Sequence, residues 1–240
     1  MLAGAALLAI QAMQTPFSRY WQPWTLRFAL GAGTLVMVAW LLAPGIRSLL
    51  QSAPIAQTDR QVAAWLHAAS SPLLIESMRW VSLVHGIAGI FGMAAIAAAV
   101  LWWNGKCEAL PTLIASVAGG TLINVLVKLA VRRDRPDWGY GLDALESFSF
   151  PSGHTEGAML FYGVVVIWLW PRMRAPWMRV ALSIGAASLV LLVAASRIVL
   201  GLHFLSDCVA AVLEALLWLA ICLAAAHPAR AFTYPVGKPP

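Results

Sequence analysis

Six long apolar stretches constrain this chain more than any other feature. They cover residues 26–42, 81–103, 110–131, 155–170, 178–195 and 204–226. A helix needs about 20 mostly apolar residues to cross the hydrocarbon core of a bilayer. Composition points the same way. The chain is 61% apolar and 11% charged, whereas a globular domain has roughly 45–50% and about 25%. Too little polar surface is left to coat a water-soluble particle of 240 residues. Disordered, collagen-like and disulfide-stapled chains are excluded, and a soluble enzyme is disfavoured. The expected fold is all-α: one membrane-embedded domain over residues 1–240, built as a bundle of six transmembrane helices. Trp24, Trp40, Trp80, Trp102, Trp103, Trp168, Trp170 and Trp177 mark span ends, where amphipathic rings favour the headgroup layer. The fourth span is short, with Pro151 before it and Pro171 after.

Two segments outside the spans have their own pattern. Residues 1–13 are apolar but too short to span, and lack a basic start; an N-terminal interfacial segment over 1–25 is expected rather than a cleaved signal. Residues 45–80 carry Asp59, Arg60, Glu76 and Arg79, with Val62, Trp65, Leu66, Leu73 and Leu74 between them at near-helical spacing. That predicts a helix lying on the membrane surface. With the N-terminus inside, eight basic residues are cytoplasmic and seven lie outside. The bias becomes eight against five if Arg135 and Arg197 serve chemistry, which places both termini in the cytoplasm. The net charge of +6 then reflects topology and anionic ligands, not nucleic acid.

Ionisable groups at span ends are expensive and mark function by default. Three clusters stand out: Lys128 to Arg135-Pro136 closing the third span, Pro151-Ser152-Gly153-His154 opening the fourth, and Ser196-Arg197 with His203 and Asp207 between the fifth and sixth. The alternation of spans brings all three to one membrane face. Lys128, Arg135 and Arg197 are three converging cations, costly to bury unless an anion sits between them. A phosphate fits, and arginine can grip it with two parallel hydrogen bonds. Ser152 and Gly153 at a helix start add amide donors and the positive end of a dipole. His203 and Asp207 are four apart, expected on one helical face, so the carboxylate can orient the imidazole as a nucleophile. His154, from another helix, is placed to protonate a leaving oxygen.

The strings K-x(6)-R-P (Lys128–Pro136), P-S-G-H (Pro151–His154) and S-R-x(5)-H-x(3)-D (Ser196–Asp207) resemble the three-part signature of the type 2 phosphatidic acid phosphatase superfamily. That superfamily also holds vanadium haloperoxidases and acid phosphatases. All eleven fixed residues are present, in order, within 128–207. The resemblance implies that His203 attacks phosphorus and becomes a phosphohistidine. It implies that Asp207 orients His203 and that His154 protonates the leaving group. Lys128, Arg135, Arg197, Ser152 and Gly153 would hold the phosphoryl oxygens. No metal or other cofactor is implied, and the sequence has no carboxylate cluster suited to magnesium.

Other polar residues have plainer readings. Arg132, Arg133, Arg172, Arg174 and Arg179 are read as topology anchors, with attraction of anionic headgroups a second reading for Arg132 and Arg133. His67, His85 and His227 are read as structural, and Cys107, Cys208 and Cys222 as small fillers. The helix dipole explains Glu156. Glu214 lies about 10 Å deeper than Asp207 at 1.5 Å per residue, with Asn124 a candidate partner. Ala115, Gly119, Gly120, Gly163 and Gly185 are expected to allow close helix packing.

The implied protein is a lipid phosphatase of a bacterial-type inner membrane, with termini in the cytoplasm and its active site at the periplasmic face. Its partner would be a lipid phosphate monoester or diphosphate in the bilayer. Undecaprenyl diphosphate and similar polyprenyl diphosphates stand slightly ahead of phosphatidic acid, phosphatidylglycerophosphate and lipid A phosphate. The motifs read only the phosphoryl group. The rivals are a lipid phosphotransferase using the same site, a haloperoxidase using vanadate, and a catalytically silent lipid-binding protein.

Overall fold

The computed structural model describes residues 16–136 and 147–226; residues 1–15 of the expected interfacial segment 1–25, and His227, lie outside them, and residues 16–25 are the start of the first long helix. Every regular element among the described residues is helical. α1 is Pro16–Gln51, α2 Ala53–Ala69, α3 Pro72–Val84 and α4 Ile87–Trp103. α5 runs over Cys107–Val131, with a 3-10 turn at Cys107–Ala109 and a π-helical turn at Ala115–Gly119. α6 is Gly153–Leu169, α7 Pro176–Val199 and α8 Leu205–Ala226.

Four helices are long and apolar enough to cross a membrane: residues Thr25–Gln51 of α1, then α5, α7 and α8. A fifth span results if α3 and α4 are taken together. The protein is an integral membrane protein by these helices. Their outer faces carry large apolar side chains such as Leu41, Leu191 and Leu213, all well exposed, as lipid contact requires.

The expected span 81–103 is not one helix. It breaks at His85-Gly86, and α3 and α4 meet with a 51° bend. Gly89 permits the bend, because a side chain there would collide with the Val84 carbonyl. The expected surface helix at 45–80 is likewise divided. Its first residues extend α1, Ser52 separates α1 from α2, and Ser70-Ser71 separates α2 from α3. Pro54 and Pro72 stand in the first turns of α2 and α3, after the N-cap residues Ser52 and Ser71, where the missing N–H costs nothing.

The expected fourth span is α6, and its 17 residues are fewer than a bilayer usually asks. α6 is the axis of the bundle: it packs on α4, α5, α7 and α8. This explains its apolar composition on all sides and the burial of Glu156, Gly157, Ala158, Leu160 and Phe161.

Helices in lipid gain little from hydrophobic exclusion and associate through close packing of small residues. Trp218 of α8 shows this. It is buried and donates its Nε1–H to the Ala115 carbonyl at 3.0 Å, a carbonyl at the π-turn, where the regular ladder is interrupted. The ring lies over Gly119, where a Cβ would come within 2.8 Å of it. Gly120 faces Leu160 and Trp218, and Gly163 faces Leu219. The packing expectation is met at these three glycines. It fails at Gly185, where an added Cβ meets nothing, because that face of α7 points away from the bundle.

Candidate functional site

The C-terminal ends of α5 and α7 and the N-terminal ends of α6 and α8 meet at one end of the bundle. Direct bonds join them. The Ser152 N–H donates to the Asp207 carbonyl at 3.1 Å, tying the start of α6 to the start of α8. Arg135 Nη1 lies 3.4 Å from His203 Nε2.

His203 is placed by a backbone turn. After Val199 the chain forms a reversed cap: the Gly201 N–H bonds the Ile198 carbonyl at 2.9 Å, and the Leu202 N–H bonds the Arg197 carbonyl at 3.0 Å. The motif needs a left-handed residue, and Gly201 supplies it with φ +67°. His203 adds a further bond to the Arg197 carbonyl at 3.2 Å. The histidine therefore sits in this turn, not on α8. This corrects the expectation that His203 and Asp207 share a helical face, because α8 begins only at Leu205. Asp207 lies in its first turn, and its Oδ2 reaches back to the Phe204 N–H at 2.9 Å, as a capping carboxylate does.

The two are still neighbours. His203 Nδ1 is 3.6 Å from Asp207 Oδ2, longer than a hydrogen bond. The Ser149 hydroxyl stands beside both, donating to Asp207 Oδ2 and lying 3.5 Å from His203 Nδ1. The ring's other nitrogen, Nε2, faces Arg135. His203 is 2% exposed. Burial pushes its imidazole down to about 3, helped by Lys128 and Arg197 and opposed by Asp207. At neutral pH it is an uncharged imidazole with a free lone pair.

A cavity of about 200 Å³ opens beside His203. His154, Gly153, Lys128, Arg135, Arg197 and His203 all line it. The His85-Gly86 break forms its wall: a Cβ on Gly86 would lie 3.5 Å from His154 Nε2. Arg197 is 2% exposed and donates from Nη1 to the Ser82 hydroxyl. Its Nε is buried with no partner among the described residues.

The first-motif cations have a second job. Lys128 Nζ donates to the carbonyls of Phe148 at 3.0 Å, Ser149 at 3.4 Å and Pro151. Arg135 donates to Ser147 through Nε at 2.8 Å and to the Leu202 carbonyl through Nη1 at 2.7 Å. Both therefore hold the strand of backbone that leads into α6, and with it Ser152 and Gly153. Ser152 is fully buried, its hydroxyl accepting from Thr155 at 3.1 Å. At Gly153 a Cβ would press to 3.2 Å from Asn124 Oδ1, so the glycine lets α6 approach α5.

A family model described as the PAP2 superfamily matches residues 109–231, just over half of the chain. The chain belongs to the PAP2 superfamily. Phosphatidylglycerophosphatase B of Bacillus subtilis (strain 168) is 36% identical over 89 residues, which are 36% of this chain and 42% of that relative. The aligned part thus spans less than half of the relative's length. The crystal structure of a transmembrane PAP2-type phosphatidylglycerolphosphate phosphatase from Bacillus subtilis superposes with a TM-score of 0.66. It is 23% identical, and the match covers 79% of this chain and 94% of that one, so it shares the fold.

Within this PAP2 site, all eight residues singled out from the motifs lie at one end of the bundle. Arg133 is a correction. It is not a topology anchor: Nη1 meets Asp207 Oδ1 at 2.5 Å and Nη2 meets Asp59 Oδ2 at 2.7 Å. Arg132 swings it inward by taking a left-handed turn, φ +50°, at the end of α5. Ser149 was also missed, since a serine two residues before P-S-G-H carries no pattern of its own. His85 is structural, held by the Val81 carbonyl at 2.9 Å and the Tyr162 hydroxyl at 2.8 Å. Asn124 does partner Glu214, with Nδ2 at 3.4 Å from Oε2. Glu156 is more than a dipole partner: it is 1% exposed, with Oε1 unpartnered among the described residues. At the opposite end Arg172 stacks on Trp168 at 4.3 Å, as an interfacial anchor does. Among the described residues no three His, Cys, Asp or Glu side chains group to hold a metal.

Proposed function

We propose that this chain is a metal-independent lipid phosphatase that cleaves a phosphate monoester or diphosphate through a phosphohistidine on His203. One observation carries the reading: His203 shares a small cavity with His154 and with Arg197, whose buried Nε has no partner among the described residues. A buried guanidinium N–H calls for an acceptor, and a phosphoryl oxygen is an acceptor of matching charge.

The chemistry follows from the atoms. The Nε2 lone pair attacks phosphorus, the bond from phosphorus to the lipid oxygen breaks, and His154 gives that oxygen a proton. Water then attacks the phosphohistidine, His154 takes the water's proton, and phosphate leaves with His203 restored. Arg135, Arg197 and Lys128 neutralise the equatorial oxygens and the Gly153 N–H donates to one of them, while Ser152, its own N–H held by the Asp207 carbonyl, fixes the start of α6. Ser149 and Asp207 keep Nδ1 on the far side from phosphorus.

The substrate's tail would stay in the bilayer while its headgroup enters the cavity. Phosphatidylglycerophosphate gains support from the name of the Bacillus relative. Undecaprenyl diphosphate, phosphatidic acid and lipid A phosphate have the same phosphoryl group. The distribution of basic residues supports termini in the cytoplasm and a site facing the periplasm of a bacterial inner membrane.

The test is phosphate release by purified protein in detergent, over a panel of lipid phosphates and diphosphates with excess EDTA, beside His203→Ala. Release that survives EDTA and vanishes in the variant is expected. Release that stops with EDTA, or persists in His203→Ala, overturns the reading.

A further inference from the structure

Asp59 stands apart from everything above. It lies on α2, outside the residues that match the PAP2 family, and a lone acid in a surface-helix pattern is ordinarily solvated. Here it is 2% exposed. Its carboxylate takes three hydrogen bonds from the active-site end of the bundle. Oδ1 accepts from the Ser206 N–H at 2.9 Å, and Oδ2 from the Ser206 hydroxyl at 2.5 Å and from Arg133 Nη2 at 2.7 Å. The circuit is closed by Arg133 Nη1, which donates to the Ser206 hydroxyl at 2.7 Å and to Asp207 Oδ1 at 2.5 Å.

Two physical consequences follow. Asp59 caps α8 from another helix. It satisfies an amide in the first turn that has no partner within the helix, and it places a negative charge at the positive end of the dipole. It also divides the charge of Arg133. That guanidinium is only 14% exposed and faces two carboxylates, Asp59 and Asp207. With Asp59 neutral, the whole cation acts on Asp207. Asp207 then presents less negative potential to Nδ1 of His203, and the first turn of α8 that aims it loses its cap.

We propose that Asp59 is a positioning residue of the phosphoryl-transfer site, setting the orientation and charge of Asp207, and through it of His203, by way of Arg133 and Ser206. It touches no reacting atom. The rate arm of this proposal rests on the lipid phosphatase reading; the structural arm does not.

The test uses the full chain in detergent micelles, with short-chain phosphatidic acid and farnesyl diphosphate as probes. Asp59→Asn keeps the size of the side chain and an acceptor for the Ser206 N–H, and removes the charge together with the Oδ2 acceptor that holds Arg133. Asp59→Glu restores the charge. Turnover is measured per folded molecule. In parallel the ring nitrogens of ¹⁵N-histidine-labelled protein are recorded, with His203 assigned from the spectrum of His203→Gln. Asp59→Asn is expected to lower kcat about tenfold, equivalent to about 1.4 kcal/mol, with KM nearly unchanged. It is also expected to move the His203 signals while those of His67 stay in place; Asp59→Glu recovers part of both effects. His203 signals that stay in place overturn the proposal, whatever the yield of folded protein, and so does an unchanged kcat in an active enzyme. If the unaltered chain releases phosphate from neither probe, the phosphatase reading fails on its own. The His203 signals then decide the role of Asp59 alone.

Discussion

Arg133 and His203 approach Asp207 from opposite oxygens: the guanidinium meets Oδ1 at 2.5 Å, and the imidazole stands 3.6 Å from Oδ2. The carboxylate is fully buried, so it depends on Arg133 for its counter-charge. Arg133→Ala leaves Asp207 and Asp59 buried with no cation. Removing one member of a buried ion pair costs about 3–5 kcal/mol. We expect a large drop in thermal unfolding temperature in detergent and loss of phosphate release. A variant that unfolds at the normal temperature would refute the assignment.

Ser149 gives a milder prediction. Its hydroxyl donates to Asp207 Oδ2, the oxygen that also accepts from the Phe204 N–H. A hydrogen bond to a charged group contributes about 1.5–3 kcal/mol. Ser149→Ala should therefore keep the fold and lower phosphate release by roughly tenfold to a hundredfold, at about 1.4 kcal/mol per decade. Full activity in the alanine variant would show that Asp207 needs no help from it.

Glu214 should be dispensable for turnover. It lies on α8 behind the cavity and meets Asn124 at 3.4 Å. Glu214→Gln preserves both size and hydrogen bonding. Phosphate release should stay within about twofold of the unaltered chain, well under the tenfold that 1.4 kcal/mol would cause. Loss of turnover with folding intact would assign Glu214 a role in the chemistry.

His203 makes stability depend on pH. Its ordinary value of 6.5 falls to about 3 in the folded protein, so the unfolded chain binds the proton more readily. The contribution is fully present above pH 6.5 and is lost progressively as pH falls from 6.5 towards 3. Thermal unfolding followed across that window should show the decline, and His203→Gln should make it shallower. An equally steep decline in the variant would place the effect elsewhere.

Gly201→Ala tests the turn. A side chain at φ +67° costs about 1–2 kcal/mol, and any relaxation of the turn moves the Leu202 and His203 amides off the Arg197 carbonyl. The expected result is a modest loss of stability with a larger loss of activity. A stability loss alone would mean that His203 keeps its place without the glycine.

The motifs were legible because their residue types are chemically expensive. Lys128, Arg135, Arg197, His154 and His203 stand at the ends of apolar stretches, and charge at such places has few uses. The alternation of spans then brought them to one face with no tertiary information. Helical class and membrane residence were legible for the same reason, since apolar runs of span length admit few structures. The break at His85-Gly86 was not, because a glycine inside an apolar run also fits a straight helix. Arg133 was misread because one arginine in a run of three looks like any other.

What the sequence by itself determined is therefore the helical membrane class and the cations and histidines of the site. Both follow from composition and order along the chain. Only the tertiary structure decided which groups support them. Asp59 lies 74 residues before Arg133, and Ser149 lies 58 before Asp207. No periodicity links such pairs. They meet because α2 packs across α7 and α8 and because the backbone before α6 is drawn in by Lys128 and Arg135. A buried carboxylate finds its partners in space, and that choice is made by packing.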